Sequence, residues 1–174
     1  MFESQQKVTA FFGGISENYK SNLIQNGNEF TVVEADEFDR SFLKLEPTLA
    51  CITSVDADHL DIYRTKEQLF TTFETFSKLL PCKGQLFVHT TVPIEGVSYG
   101  VEALADFTAT NVKIKDGGYE FDLKTPNKII KGLNFYMPGK HNLSNAVAAL
   151  AMALSSGCNP LKLRAALKLS LIHI

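Results

Sequence analysis

The chain opens with short apolar runs that alternate with polar punctuation. "KVTAFFGG" (Lys7 to Gly14) predicts a strand ending in a glycine turn. "FTVVEA", beginning at Phe30, predicts a second strand, and "TLACITSV" (Thr48 to Val55), set off by Pro47, a third. The third run is almost continuously small and apolar. Strands covered on both faces have this texture, and they belong mainly to parallel sheets. "TKEQLFTTFETFSKLL" (Thr65 to Leu80) follows another period: Leu69, Phe70, Phe73, Phe76 and Leu80 share one helical face. Thr65 and Gln68 form a capping-box pattern at its start, and Pro81 stops it. "GQLFVHT" (Gly84 to Thr90) is a fourth strand.

Beyond Pro93 the pattern changes to strict alternation: Tyr119, Phe121 and Leu123, then Leu133, Phe135 and Met137. "DGG" at Asp116 and "TPN" at Thr125 punctuate these runs, which predicts a small antiparallel meander solvated on one face. "HNLSNAVAALAMALSSG" predicts an alanine-rich helix stopped by Gly157. "NPLKLRAALKLS" starts another, with Asn159 as N-cap and Pro160 at the first helical position. The expected class is α/β: a mostly parallel, doubly wound sheet with a small antiparallel meander, incomplete at its N-terminal side.

Composition narrows the function classes. The 174 residues are 45% hydrophobic and 21% charged, enough for one domain with a core. A net charge of -2 gives no electrostatic basis for nucleic acid or an anionic membrane surface as partner. No apolar run reaches the ~20 residues of a membrane span, and the N-terminus lacks the pattern of a signal peptide. Three widely spaced cysteines without C-x-x-C fit a reducing compartment, and cytoplasmic localisation is expected. The four histidines show no H-x-x-x-H zinc spacing.

Four stretches can carry chemistry. In "VVEADEFDR", Glu34 stands where a strand runs out, followed by Asp36, Glu37 and Asp39. Open α/β sheets bind ligands at the carboxyl ends of their strands, and a carboxylate there can hold Mg²⁺. Alternatively, one acid caps the short helix at "DRSFLKL" and the others face water. "TSVDADHLDIY" places Asp56, Asp58, His59 and Asp61 at the end of the next strand. His59 is either a ligand oriented by a carboxylate or a loop cap. "MPGKHNLSN" puts His141, Asn142 and Asn145 at a helix start, where the amides suit a nucleobase edge or simply cap the helix. It is not a phosphate loop: position 134 is Asn and position 141 is His, and no other stretch fits G-x-x-x-x-G-K-[ST]. "FFGGISENYKSNL" reads as a glycine turn and a polar loop.

Taken in order, "GGISENYKSNL", "VVEADEFDRSFLKLEPTLACITSVDADHLDIY" and "PGKHNLSNAVAAL" resemble the central domain of the Mur ligases over roughly Val8 to Ser170. The resemblance implies an ATP- and Mg²⁺-dependent, amide-forming enzyme of peptidoglycan synthesis. ATP phosphorylates a substrate carboxylate, and an amine attacks the acyl phosphate. By position, Glu34 and His59 match the family's metal-binding, catalytic pair. Asn142 and Asn145, with His141 beside them, match residues around adenine and ribose. No lysine stands near Phe73 and Glu74, where several members carry a carbamylated one. This matches the branch that joins L-alanine to UDP-N-acetylmuramate. On this reading residues 1–170 are the central ATP-binding domain without its phosphate loop, and 171–174 a tail foreign to the family. The UDP-binding and C-terminal domains are absent, and the chain alone is inactive. A tripeptide-recycling or other Mur-type ligase, and a non-catalytic α/β nucleotide-binding module, are the alternatives.

Overall fold

The computed structural model describes residues 6–16, 19–56, 63, 65–81 and 85–169. It shows the expected α/β class, with strands β1 (Val8–Ser16), β2 (Ser21–Gln25), β3 (Phe30–Val33), β4 (Ala50–Ile52), β5 (Leu86–His89), β6 (Val97–Val101), β7 (Phe107–Lys115), β8 (Gly118–Lys124) and β9 (Ile129–Phe135). Helices α1 (Lys66–Ser77), α2 (Lys140–Ser155) and α3 (Pro160–Leu169) complete it, with a short 3-10 helix at Ser41–Lys44. The tail 171–174 lies outside the described residues.

The strands form two sheets. Three run in the order β2-β1-β3, and six in the order β4-β5-β6-β7-β8-β9. In the larger sheet β4 to β7 are parallel, and β7 to β9 antiparallel. The meander is therefore not separate but continues the parallel sheet through β7.

Period-two alternation divides β4 and β5 between two helical layers. Ala50, Ile52, Leu86 and Val88 pack with Phe42, Phe76 and Leu80 on the α1 side. Phe87, Tyr99, Phe121, Leu123 and Leu133 pack under α2 and α3 with Leu143, Val147 and Leu163. Helices on both faces make the larger sheet doubly wound.

Local signals set most boundaries. Thr65 Oγ1 accepts the Gln68 N–H at 3.3 Å, which is the N-cap half of the capping box. Asp116 and Gly117, at φ 51° and 77°, close the β7–β8 hairpin as a two-residue turn. Gly157, at φ 81°, ends α2: its N–H reaches Leu154 O, and the Cys158 N–H reaches Ala153 O. Asn159 Oδ1 caps α3 through the Leu161 N–H at 2.9 Å.

Two readings are corrected. Gly13 and Gly14 make no turn; β1 runs through both to Ser16, and neither has positive φ. The polar stretch after it runs into β2, paired antiparallel with β1: Ser21 and Asn22 are polar, but the strand's backbone groups find partners in β1 and Ile24 is buried. Strand β6 was also not foreseen. Its sequence, VSYGV, carries a weak apolar signal, and pairing with β5 and β7 defines it. A Cβ on Gly96, just before β6, would stand 2.6 Å from Leu86 O, so the chain comes this close to β5 only because residue 96 is glycine.

Cys51 and Tyr99 are acids held in apolar surroundings. Burial pushes the Cys51 thiol from 9.0 up to about 11. It raises Tyr99 as well, whose hydroxyl is buried without a hydrogen-bond partner among the described residues; the Cys51 thiol beside it lies outside good bonding geometry. As pH climbs past 9.0 the unfolded thiol loses its proton before the folded one, so stability falls until about pH 11. Between about pH 8 and 10 the urea-derived stability is expected to drop by roughly 1 kcal/mol on this account. Cys51→Ala should flatten that slope, and an unchanged slope in the variant would contradict the buried thiol as its source.

Candidate functional site at the carboxyl edge of the sheet

Because β4, β5 and β6 are parallel, their carboxyl ends share one edge. A cleft of about 400 Å³ opens there. Thr53, Ser54 and Asp56 enter it after β4, His89, Thr90 and Thr91 from the end of β5, and Val101 from β6. The first turn of α2 closes the opposite side with Lys140, His141, Ser144 and Asn145. Gly139, at φ 96°, turns the chain into α2, and among the described residues no side chain caps this helix start. Its first N–H groups and the Lys140 ammonium thus favour negative charge at the cleft.

The three expected residues of α2 separate. His141 and Asn145 line the cleft, joined by a 3.2 Å contact between Nε2 and Nδ2. Asn142 turns back, donating from Nδ2 to Pro138 O at 2.7 Å, so in this structure it serves the helix start.

The acidic loop after β3 also resolves into different roles. Asp36 Oδ1 accepts the Phe38 N–H, and Asp39 Oδ1 the Ser41 N–H, each at 2.8 Å. The Ser41 hydrogen bonds hold the Asp39 carboxyl below its ordinary range. These two acids are turn caps, the bland alternative. Glu34 differs. Its N–H extends the β1–β3 ladder to Phe11 O, and its Oε2 accepts the Gly13 N–H at 2.9 Å. A Cβ at Gly13 would lie 3.3 Å from Glu34 Cδ and Oε2, so the glycine leaves room for the carboxylate against the β1 backbone.

His59, Asp58 and Asp61 lie outside the described residues. Tyr63, just beyond them in sequence, is fully buried and donates from Oη to Glu37 O at 2.6 Å. The Arg40 guanidinium sits over its ring, 5.2 Å from the centroid. Tyr63 itself is thus tied to the acidic loop after β3.

A second cleft, of about 410 Å³, lies on the meander beside Asn111, Lys113 and Asp122. Two of its acids are engaged: Asp122 accepts from Asn111 Nδ2 and the Gly132 N–H, and Glu120 from Lys115 Nζ. It lacks the convergence of strand ends and helix start found at the first.

His89, Thr90, Thr91, Lys140 and Ser144 were not among the expected site residues. The strand-end rule applied to Glu34 applies equally to "FVHTT", and would have found the first three.

The comparisons with known proteins identify the family. A model of the Mur ligase middle domain matches residues 15–153. The UDP-N-acetylmuramate–L-alanine ligase of Christiangramia forsetii is 56% identical over 155 residues, covering 89% of this chain and 34% of that protein. The same-named ligase of Flavobacterium psychrophilum is 52% identical over 157 residues, covering 90% and 35%. The chain therefore spans about a third of the length of these curated relatives. Among solved structures, UDP-N-acetylmuramate-alanine ligase of Thermotoga maritima superposes with a TM-score of 0.78 at 23% identity, covering 96% of this chain and 39% of that one. These findings, with the fold, show that the chain belongs to the Mur ligase family and matches its middle domain.

Proposed function

We propose that this chain is the nucleotide-handling part of an ATP-dependent ligase that joins L-alanine to UDP-N-acetylmuramate in peptidoglycan synthesis. The observation that carries the proposal is the cleft where parallel strand ends meet the uncapped start of α2, in a chain more than half identical to ligases of that name. The α2 start and Lys140 favour the charged part of ATP, and Asn145 with His141 offers the mixed donor and acceptor groups that a nucleoside requires.

Mg²⁺ typically takes one or two carboxylates and completes its octahedron with water and phosphate oxygens. Glu34 fits that demand: it is exposed at the end of a parallel strand, with Oε2 steadied by Gly13 and Oε1 directed to no described partner. Among the described residues no group of three or more acidic, His or Cys side chains is arranged to hold a metal. The proposed holder is Glu34 with His59, the pair that the family resemblance matches by position. Bound there, the ion would supply charge neutralisation at the transferring phosphoryl group. Among the described residues no helix is long and apolar enough to cross a membrane, and a cytoplasmic location is part of the proposal.

Two preparations test this reading. The 174-residue chain alone is expected to release no phosphate from ATP in the presence of UDP-N-acetylmuramate and L-alanine, because no phosphate loop is in its sequence. A chimera, in which the chain replaces the homologous segment of the C. forsetii ligase, is expected to release phosphate in an L-alanine-dependent manner. A well-folded chimera that binds ATP but shows no such dependence would overturn the proposal.

A further inference from the structure

His89 ends β5, and its ring is held from two sides. It lies edge-on to the buried Tyr99, centroids 5.5 Å apart at 71°. Its Nδ1 is 2.8 Å from Thr91 Oγ1 and receives the Thr91 main-chain N–H at 3.3 Å. A main-chain N–H can only donate, so Nδ1 is an acceptor, and the single proton of the neutral ring sits on Nε2. No described residue pairs with that Nε2–H, although the ring lines the cleft. Across the cleft, Asn145 Nδ2 donates to His141 Nε2, which leaves the Asn145 carbonyl as an acceptor. The cleft thus presents a fixed N–H donor from β5 and a fixed carbonyl acceptor from α2.

We propose that His89 is a nucleoside-binding residue: its Nε2–H donates a hydrogen bond to an uncharged acceptor of the bound nucleotide, a ribose oxygen or a purine ring nitrogen. This rests on the reading of the cleft as a nucleotide site. The negative phosphates have their own complement in Lys140 and the start of α2. His89 instead contributes orientation, since the ring is pinned before ligand arrives and loses little freedom on binding.

Calorimetric titration of the 174-residue chain with ATP, adenosine and inorganic tripolyphosphate separates the possibilities. His89→Phe keeps a ring against Tyr99 and removes the donor; His89→Gln restores an N–H near the position of Nε2. The Phe variant is expected to bind ATP and adenosine about tenfold more weakly, the size of one hydrogen bond. Tripolyphosphate affinity should stay within about twofold, and the Gln variant should recover to within about threefold of the parent. In the parent chain, adenosine should shift the His89 Nε2 resonance more than Nδ1. Undiminished adenosine binding by the Phe variant, or no recovery in a Gln variant with the parent melting temperature, overturns the role of His89 and leaves the cleft reading intact. A parent chain that binds neither ATP nor adenosine removes both.

Discussion

Glu34→Gln in the chimeric ligase is expected to lower L-alanine-dependent phosphate release by about a hundredfold or more, with the melting temperature shifted by less than about 2 °C. The two halves of this expectation have separate causes. Glutamine keeps a carbonyl oxygen that can accept the Gly13 N–H, and residue 34 is exposed, so folding loses little. What disappears is the negative charge at the strand end, which a divalent cation needs and a neutral amide cannot replace. Gly13→Ala approaches the same group from the other side. Its Cβ would press on the carboxylate from 3.3 Å, so Glu34 must move by a few tenths of an ångström. A smaller loss, roughly threefold to tenfold, is expected there, because the charge survives but its placement does not. Phosphate release at the parental rate in a folded Glu34→Gln chimera would remove Glu34 from the metal site.

Gly118→Ala is expected to destabilise the chain by about 3 kcal/mol or more, read as a fall of roughly 6–12 °C in melting temperature. Gly118 closes the β7–β8 hairpin opposite Lys115 and is buried against the end of β9. An added methyl would meet Tyr136 Cα at 2.7 Å and come closer still to the Phe135 carbonyl oxygen. Both are backbone atoms, so no side chain can rotate away, and β9 itself must shift. Its neighbour is the control. Gly117 has φ 77° and open space around it, so Gly117→Asn, which tolerates that conformation, should cost less than about 1 kcal/mol. Equal, small effects at the two glycines would show that β9 does not approach the hairpin as described.

Much of the fold was readable because its signals are local. The Asp116-Gly117 turn needs two residues at positive φ, and few pairs other than Asp-Gly accept that. The Thr65 and Asn159 caps and the Gly157 stop likewise act within about one helical turn. The capping roles of Asp36 and Asp39, two residues from their N–H partners, belong to the same class.

Strands β2 and β6 were not readable. Their side chains carry weak signals, and what makes them strands is hydrogen bonding to partners supplied by other parts of the chain. The site shows the same division. The sequence by itself determined that acids follow β3 and that a His-Asn cluster opens α2, since residue order and helical period are one-dimensional facts. Only the tertiary structure decided that Asn145 lines the cleft while Asn142 returns to Pro138, that His89 joins them from β5, and that Glu34 rests against Gly13. Those outcomes depend on which backbone passes within about 3 Å of which side chain, and that distance is set by sheet pairing and helix packing across many tens of residues.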